Sequence, residues 1–290
     1  GAQGLGIIAV SNVPGFTEMR SNRNLLNLAQ SLSSLPENAL KELEDPASRF
    51  SFGWSHGKEF LESGQLDELK ASFYANPIVD RPTDDPALIE RYPSYCRANL
   101  WPRKELPDLE SSFKKLGSLI VKVGLHLAAH CDKHVSRKGG DPRLTDMLKN
   151  SLCHKGRLLH NYPRFRCSSC CKFLKASCSK CSGTKSSSWC GWHVDHGSLT
   201  GTIDLCNVHK RRKEIDCPDS EAGLYVRTRS GAIVKATFRK DDIAYQVGEA
   251  TELILNGAFH ATPHCVHVRT AQDDPLVERN TFAVFMQPHW

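Results

Sequence analysis

The chain changes its residue pattern near position 155, and this change limits the folds that it can adopt. Before it, apolar residues recur every three or four positions from Leu109 to about Val135, which predicts one long amphipathic helix. Beyond it, short apolar segments between turn residues predict strands at 157–163, 191–205, 223–228, 231–237, 251–254, 264–269 and 279–287. Helices followed by regularly spaced strands are typical of an α+β chain with a sandwich or jelly-roll core backed by helices.

We therefore divide the 290 residues into two parts. Residues 1–155 are expected to form an N-terminal helical and strand region that packs on the core. Residues 156–290 are expected to form the β-core, interrupted by a Cys-, Ser- and Lys-rich insertion at 164–190. Within the first part, residues 6–10 predict a buried strand, and residues 50–107 predict loops.

Composition and charge exclude several classes of protein. The apolar fraction of 40% and the charged fraction of 24% are ordinary for a globular chain. No apolar run reaches the roughly 18 residues of a membrane span, so no membrane partner is expected. The net charge of +6 is too small to indicate nucleic acid by itself, although the run at 210–213 concentrates part of it. We expect an intracellular, cytoplasmic protein, with organelle import left open because the N-terminus looks trimmed.

The cysteines are unevenly distributed, which favours a metal site over a disulfide framework. Five of the twelve fall within positions 167–181. Two CxxC pairs, Cys167 with Cys170 and Cys178 with Cys181, can provide four thiolates for a tetrahedral structural zinc ion. Free thiols in a polar insertion, or a single disulfide, are the alternatives.

A second candidate metal site begins at His193 and Asp195. Residues two apart on a strand project from the same face, so the imidazole and the carboxylate can bind one ion together. A third ligand is expected from a later strand. His264 is the better candidate because it shares its strand face with two valines, and His260 is a weaker one. Two histidines and one carboxylate leave coordination positions open, as in non-haem Fe(II) oxygenases.

Fifteen residues after His264, a third feature opens the last predicted strand. Arg279 and Thr281 share one strand face, and a guanidinium beside a hydroxyl in an apolar barrel is a good receptor for a carboxylate. An ordinary arginine at the edge of a strand is the alternative interpretation.

Taken in order, these motifs resemble the isopenicillin N synthase-like branch of the Fe(II)/2-oxoglutarate-dependent oxygenases. The resemblance runs from about residue 4 to residue 288 and is carried by the segments 99–102, 192–200, 223–226, 256–266 and 279–281. It implies a double-stranded β-helix core in which His193, Asp195 and His264 hold Fe(II). It also implies that Arg279, Thr281 and Tyr162 bind the distal carboxylate of 2-oxoglutarate.

The sequence departs from the family pattern at three places. The family has Arg-x-Ser about ten residues after the distal histidine, whereas here the interval is fifteen and threonine replaces serine. About ten extra residues, near 207–220, include the basic run, and the Cys-rich insertion replaces a short loop. Some family members do without 2-oxoglutarate, so the resemblance implies the iron more directly than the cosubstrate.

The resemblance implies a dioxygenase that uses O₂ and 2-oxoglutarate to oxidise, by hydroxylation in the simplest case, a small organic substrate. A first alternative is an oxygenase of a protein or nucleic acid that docks on the Cys-rich and basic insertions. A second is a non-catalytic binding module on the same fold, against which the complete metal triad and the Arg-x-Thr motif both argue.

Overall fold

The computed structural model describes residues 4–21, 25–60, 64, 66–162, 188–208, 213–217, 219–267 and 277–290. The helices in these ranges are Phe16–Ser21 (α1), Leu25–Ser33 (α2), Glu37–Glu42 (α3), Pro86–Arg91 (α4), Pro93–Cys96 (α5), Pro107–Ser136 (α6), Leu144–Lys149 (α7) and Glu249–Ile254 (α8), with a 3-10 turn at Pro46–Ser48. The strands are Ile7–Val10 (β1), Gly53–His56 (β2), Lys70–Ala75 (β3), Lys155–Asn161 (β4), Ser188–His193 (β5), Leu199–Val208 (β6), Lys213–Ile215 (β7), Gly223–Arg227 (β8), Ile233–Ala236 (β9), Ile243–Val247 (β10), His264–His267 (β11) and Val277–Met286 (β12).

The strands form two antiparallel sheets. The larger sheet has the order β1-β10-β6-β12-β4-β3-β2, with β7 paired to β6, and the smaller sheet has the order β5-β11-β8-β9. This α+β, jelly-roll architecture confirms the predicted fold class. Strands β1, β2 and β3 belong to the same sheet as β4, β6 and β12, so residues before 155 contribute strands to the core sheet itself.

Helix α6 covers one face of the larger sheet. Its apolar stripe is buried, and the Phe113 ring packs edge-on against Phe282 of β12 with ring centroids 4.8 Å apart. Close approach requires a glycine on β6, since a Cβ at Gly201 would lie 2.4 Å from the Ile120 side chain. Each fully buried side chain of this size contributes about 1.5–3 kcal/mol, so the stripe holds the helix on the sheet. The helix predicted from Leu109 to about Val135 is confirmed.

The opposite face of the larger sheet looks into a cavity between the two sheets. On β12, Phe282 and Val284 belong to the core under α6, whereas Arg279 and Thr281 line the cavity. This separation follows from the two-residue period of a strand. The shared face predicted for Arg279 and Thr281 is confirmed.

The strand predicted at 251–254 is wrong, because this segment is the end of helix α8. Four residues are too few for periodicity to separate a strand from a helix. Glu249 and Glu252 lie in the first helical turn, where carboxylates interact favourably with the helix dipole. The neighbouring strand β10 was not predicted.

Three other segments differ from the sequence prediction. The strand predicted at 191–205 is broken after His193, so that Asp195 lies in the turn between β5 and β6. The loops predicted at 50–107 contain β2, β3, α4 and α5. Strand β1, predicted as buried, is an edge strand that pairs with β10, and its Ile8 side chain is 48% exposed.

Among the described residues, no helix is both long and apolar enough to cross a membrane.

Candidate metal and cosubstrate site

A cavity of about 300 Å³ lies between the two sheets. Strands β3, β4, β6, β10 and β12 form one wall, and β5, β8, β9 and β11 contribute to the other. The volume lies at the lower end of the range of small-molecule pockets, roughly 300–1,000 Å³. The cavity therefore has the size of a site for small ligands.

His193, Asp195 and His264 meet at one end of this cavity. His193 closes β5 and His264 opens β11 directly opposite it, while Asp195 follows in the turn after β5. Asp195 Oδ1 is 3.8 Å from His193 Nε2 and 3.9 Å from His264 Nε2. One ligand atom of each residue lies within 4.8 Å of the others, which is the separation expected of ligands to one ion.

Hydrogen bonds orient both imidazole rings for metal binding. His193 Nδ1 is 2.8 Å from the Gly191 carbonyl oxygen, and His264 Nδ1 is 2.8 Å from that of Thr262. A carbonyl can only accept, so each Nδ1 carries a proton, and in the neutral ring Nε2 has its lone pair on the side of Asp195. Metal-binding histidines commonly donate their other N–H to such an acceptor. The donor set therefore fits a divalent ion such as Fe(II).

The two histidines differ in their surroundings. Burial lowers the pKa of His264, which keeps its ring neutral and able to coordinate. His193 is 40% exposed, and its contact with Cys190, 3.6 Å from Sγ to Nδ1, raises the pKa of His193 to about 9. Metal binding at His193 must therefore release a proton.

Two polar side chains hold the carboxylate of Asp195. The Thr200 hydroxyl donates to Asp195 Oδ2 at 2.6 Å, and the Gln246 amide donates to the same oxygen at 3.1 Å. The Gln246 amide also donates to His264 Nε2 at 3.0 Å, so a metal ion that binds this nitrogen must displace that hydrogen bond. These contacts occupy Oδ2 and leave Oδ1 facing the histidines. Sequence reasoning assigned no role to Thr200 and missed Gln246, since it missed β10.

Arg279 and Thr281 lie on β12, in the same cavity as the triad. The Arg279 side chain is buried and donates through Nε and Nη2 to Asp204 Oδ2 of β6, at 2.9 and 2.6 Å. The Thr281 hydroxyl is buried and has no hydrogen-bond partner among the described residues. An unpaired buried hydroxyl next to a guanidinium is suited to a ligand that accepts hydrogen bonds. No motif in the sequence indicated the ion pair with Asp204.

Tyr162 is not brought to the cavity wall. The cavity-facing residues of β4 are Arg157, Leu159 and Asn161, so the next residue points to the other face. The Tyr162 ring packs against His160 with centroids 4.6 Å apart and belongs to the hydrophobic core. Asn161 takes the position at the cavity, where its amide donates to the Arg279 carbonyl oxygen at 3.2 Å.

The two remaining predictions concern a rival ligand and the cysteine cluster. His260 is 43% exposed and pairs with Glu252 at 2.8 Å, so the structure brings His264 rather than His260 to the triad. The four cysteines of the predicted zinc site, Cys167, Cys170, Cys178 and Cys181, lie outside the described residues.

Comparison with solved structures places this geometry in a known fold. No protein-family model and no curated protein matches the chain. A full-length Neurospora crassa protein, solved in complex with alpha-KG (2-oxoglutarate), aligns over 99% of this chain and 77% of its own, with 19% identity and a TM-score of 0.67.

Two further structures give similar alignments. A 2OG-Fe(II) oxygenase family protein from Caulobacter crescentus covers 98% of this chain and 78% of its own, with 15% identity and a TM-score of 0.69. JOX2, solved in complex with 2OG, Fe and JA, covers 99% of this chain and 69% of its own, with 16% identity and a TM-score of 0.60. The chain thus has the jelly-roll fold of solved 2-oxoglutarate- and iron-dependent oxygenases.

Proposed function

We propose that the protein is an Fe(II)- and 2-oxoglutarate-dependent oxygenase of a small organic substrate. The observation that carries this proposal is the meeting of His193, Asp195 and His264 in a cavity that also contains Arg279 and Thr281. An isolated triad would suit several metals, and an isolated arginine would suit many anions. Their presence in one cavity of an oxygenase fold favours a metal ion and a dicarboxylate bound together.

Each residue has a distinct task in this proposal. The two Nε2 atoms and Asp195 Oδ1 bind the metal, while Thr200 and Gln246 keep the carboxylate in position. When bound, Fe(II) with 2-oxoglutarate and O₂ supplies the oxidising chemistry, and the protein supplies binding and orientation.

The cosubstrate site is assigned to Arg279 and Thr281. A guanidinium and a hydroxyl on adjacent cavity-facing positions of β12 can both donate to one carboxylate. Asp204 already binds one edge of the guanidinium, so the cosubstrate carboxylate must share Arg279 with it or displace it. Along β6, Thr200 at the metal and Asp204 at Arg279 are four residues apart, roughly 13 Å at the rise of a strand. A short dicarboxylate together with the arginine side chain can span this interval.

The solved structures of this fold support a small substrate. The Neurospora crassa protein was solved with thymine as well as alpha-KG, JOX2 with JA, and a rice protein of the same fold is a dioxygenase for auxin oxidation. The cavity of about 300 Å³ is of a size for such ligands.

Metal binding and cosubstrate turnover test the proposal separately. Calorimetric titration of Mn(II) without O₂ should give one site in the wild type. It should give none in His264→Ala, and an unchanged site in His260→Ala, the matched control. With Fe(II), 2-oxoglutarate and O₂, the wild type and His260→Ala should form succinate and His264→Ala should not. An active His264→Ala variant, or a wild type without succinate formation, would refute the proposal.

A further inference from the structure

Two basic side chains of the larger sheet line the cavity and have no task in the metal or cosubstrate site. Lys70 begins β3 and Arg157 lies within β4, and both line the cavity. Their side chains expose only 11% and 16% of their surface. Charges so little exposed to water need partners, and the positions of those partners decide what else the cations can bind.

The acidic partners of these cations lie outside the cavity. Lys70 Nζ is 2.8 Å from Glu59 Oε2 and 3.2 Å from Asp67 Oδ2, and Arg157 Nη2 donates to Glu59 Oε1 at 2.8 Å. Glu59 and Asp67 are absent from the cavity lining and border a separate, smaller cleft, whereas Lys70 borders both and Arg157 borders the cavity. The cluster therefore presents its cations, and not its carboxylates, to the cavity.

Both cations keep hydrogen-bond donors for a ligand. Arg157 donates hydrogen bonds from Nε and Nη2 to the Ser72 hydroxyl, at 3.0 and 2.9 Å. Its Nη2 also donates to Glu59. Within the described part of the chain, Arg157 Nη1 has no acceptor. The Lys70 ammonium has three hydrogens and two carboxylate partners. A carboxylate in the cavity can accept from both residues.

This part of the wall adjoins the metal triad. Lys70 and Arg157 line the same cavity as Cys190, whose sulfur is 3.6 Å from His193 Nδ1. Apolar side chains make up much of the remaining lining, among them Leu159, Leu224, Phe238, Val266 and Phe285. An anion bound here would place an attached apolar group among these side chains, beside the metal.

We propose that Lys70 and Arg157 bind the carboxylate of the primary substrate, which is an organic acid with an apolar body. This inference rests on the oxygenase function proposed above and specifies the substrate class of that site. Among the described residues, one further arginine and one further lysine line the cavity. Arg279 is assigned to the cosubstrate, and Lys235 lies on the smaller sheet, where it donates to the Ser220 carbonyl oxygen.

The test compares acids with their neutral amides on the loaded protein. Wild type saturated with Mn(II) and 2-oxoglutarate is titrated without O₂, by calorimetry, with phenylacetate against phenylacetamide and hexanoate against hexanamide. Each pair differs little in shape, so a preference for the acid reports recognition of charge. We expect at least one acid to bind on the order of 10- to 100-fold more tightly than its amide, as for hydrogen bonds to a charged group.

Variants assign the preference to the two cations. Arg157→Gln combined with Glu59→Gln removes one charge of each sign, so no unpaired charge stays in the wall, and it should lower the preference at least tenfold. Lys70→Met, a second and independent variant, should lower it as well. Lys235→Gln removes another cavity-lining charge and should leave the preference unchanged.

Three results would overturn the inference: equal affinity for acid and amide in the wild type, no binding of either acid, or a preference that survives both variants. Binding of Mn(II) and 2-oxoglutarate to the wild type is measured before any acid is added. A wild type that does not bind them would refute the oxygenase function itself, so the two failures are distinguishable.

Discussion

Acid should destabilise this protein through His154, the residue that precedes β4. His154 is 3% exposed; its Nε2 lies 3.0 Å from the Leu148 carbonyl oxygen, and its Nδ1 accepts from the backbone N–H of Gln287 at 3.3 Å. One neutral tautomer satisfies both contacts, with the proton on Nε2. A second proton, on Nδ1, would place two N–H donors opposite each other and remove the hydrogen bond from Gln287, so the folded state disfavours the charged ring.

Burial lowers the pKa of His154 to about 4, against 6.5 for an exposed histidine. Above pH 6.5 the ring is neutral in both states and stability is complete. Between 6.5 and 4 the unfolded chain binds a proton that the folded protein does not, so the free energy of unfolding falls as the pH falls. The full loss is about 3 kcal/mol, since each pKa unit corresponds to about 1.4 kcal/mol, and about 2 kcal/mol of it is reached by pH 5.

Urea unfolding at pH 7.5 and pH 5.0 measures this loss in the wild type, in His154→Gln and in His130→Gln. Glutamine at position 154 keeps a donor and an acceptor but does not titrate, whereas His130 is exposed on α6 and serves as the matched control. The acid-induced loss should be about 2 kcal/mol smaller in His154→Gln than in the other two proteins. Equal losses in all three proteins would show that His154 does not remain neutral in the folded state.

Three further predictions address the ligand sites. Arg279→Ala should raise the apparent KM for 2-oxoglutarate in a succinate assay by the equivalent of about 2–5 kcal/mol, and an unchanged KM would refute its assignment. Thr200→Val should weaken Mn(II) binding roughly 10- to 100-fold in calorimetry by releasing Asp195, and wild-type affinity would show that the hydroxyl is dispensable. Elemental analysis should find one zinc per chain, lost in the double variant Cys167→Ser with Cys178→Ser; less than about half an equivalent in the wild type would exclude the site.

Sequence periodicity predicted those parts of the fold that are long or strictly alternating. Helix α6 has an apolar stripe over 30 residues, which is long enough to average out chance patterns. The predicted ends, Leu109 and about Val135, therefore lie within two residues of the observed ends, Pro107 and Ser136. The inward position of His264 followed from alternation along a single strand. Segments of four to six residues, such as β10 and α8, have too few positions for either period to be decisive.

The parts of the site that were missed depend on which strands are neighbours. Asp204 meets Arg279 because β6 pairs with β12, and Gln246 meets Asp195 because β10 pairs with β6. Lys70 and Arg157 lie on the paired strands β3 and β4, and both side chains contact Glu59. The contacts of Arg279, Gln246 and Arg157 join residues 75, 51 and 98 positions apart, and one sequence does not specify them. Tyr162 shows the related error of assigning a residue from a motif without its strand parity.

The register of β6 joins the two ends of the proposed site. Thr200, Thr202 and Asp204 all face the cavity, whereas Gly201 and Ile203 face α6, and Gly201 has no room for a side chain. A slip of one residue would put Thr200 and Asp204 into the apolar layer and a bulky side chain at the place of Gly201. Packing against α6 therefore excludes the slipped register. The same contacts that stabilise the core thus set the interval between the Asp195 carboxylate and the Arg279 guanidinium, and with it the length of the ligand that can bind both ends.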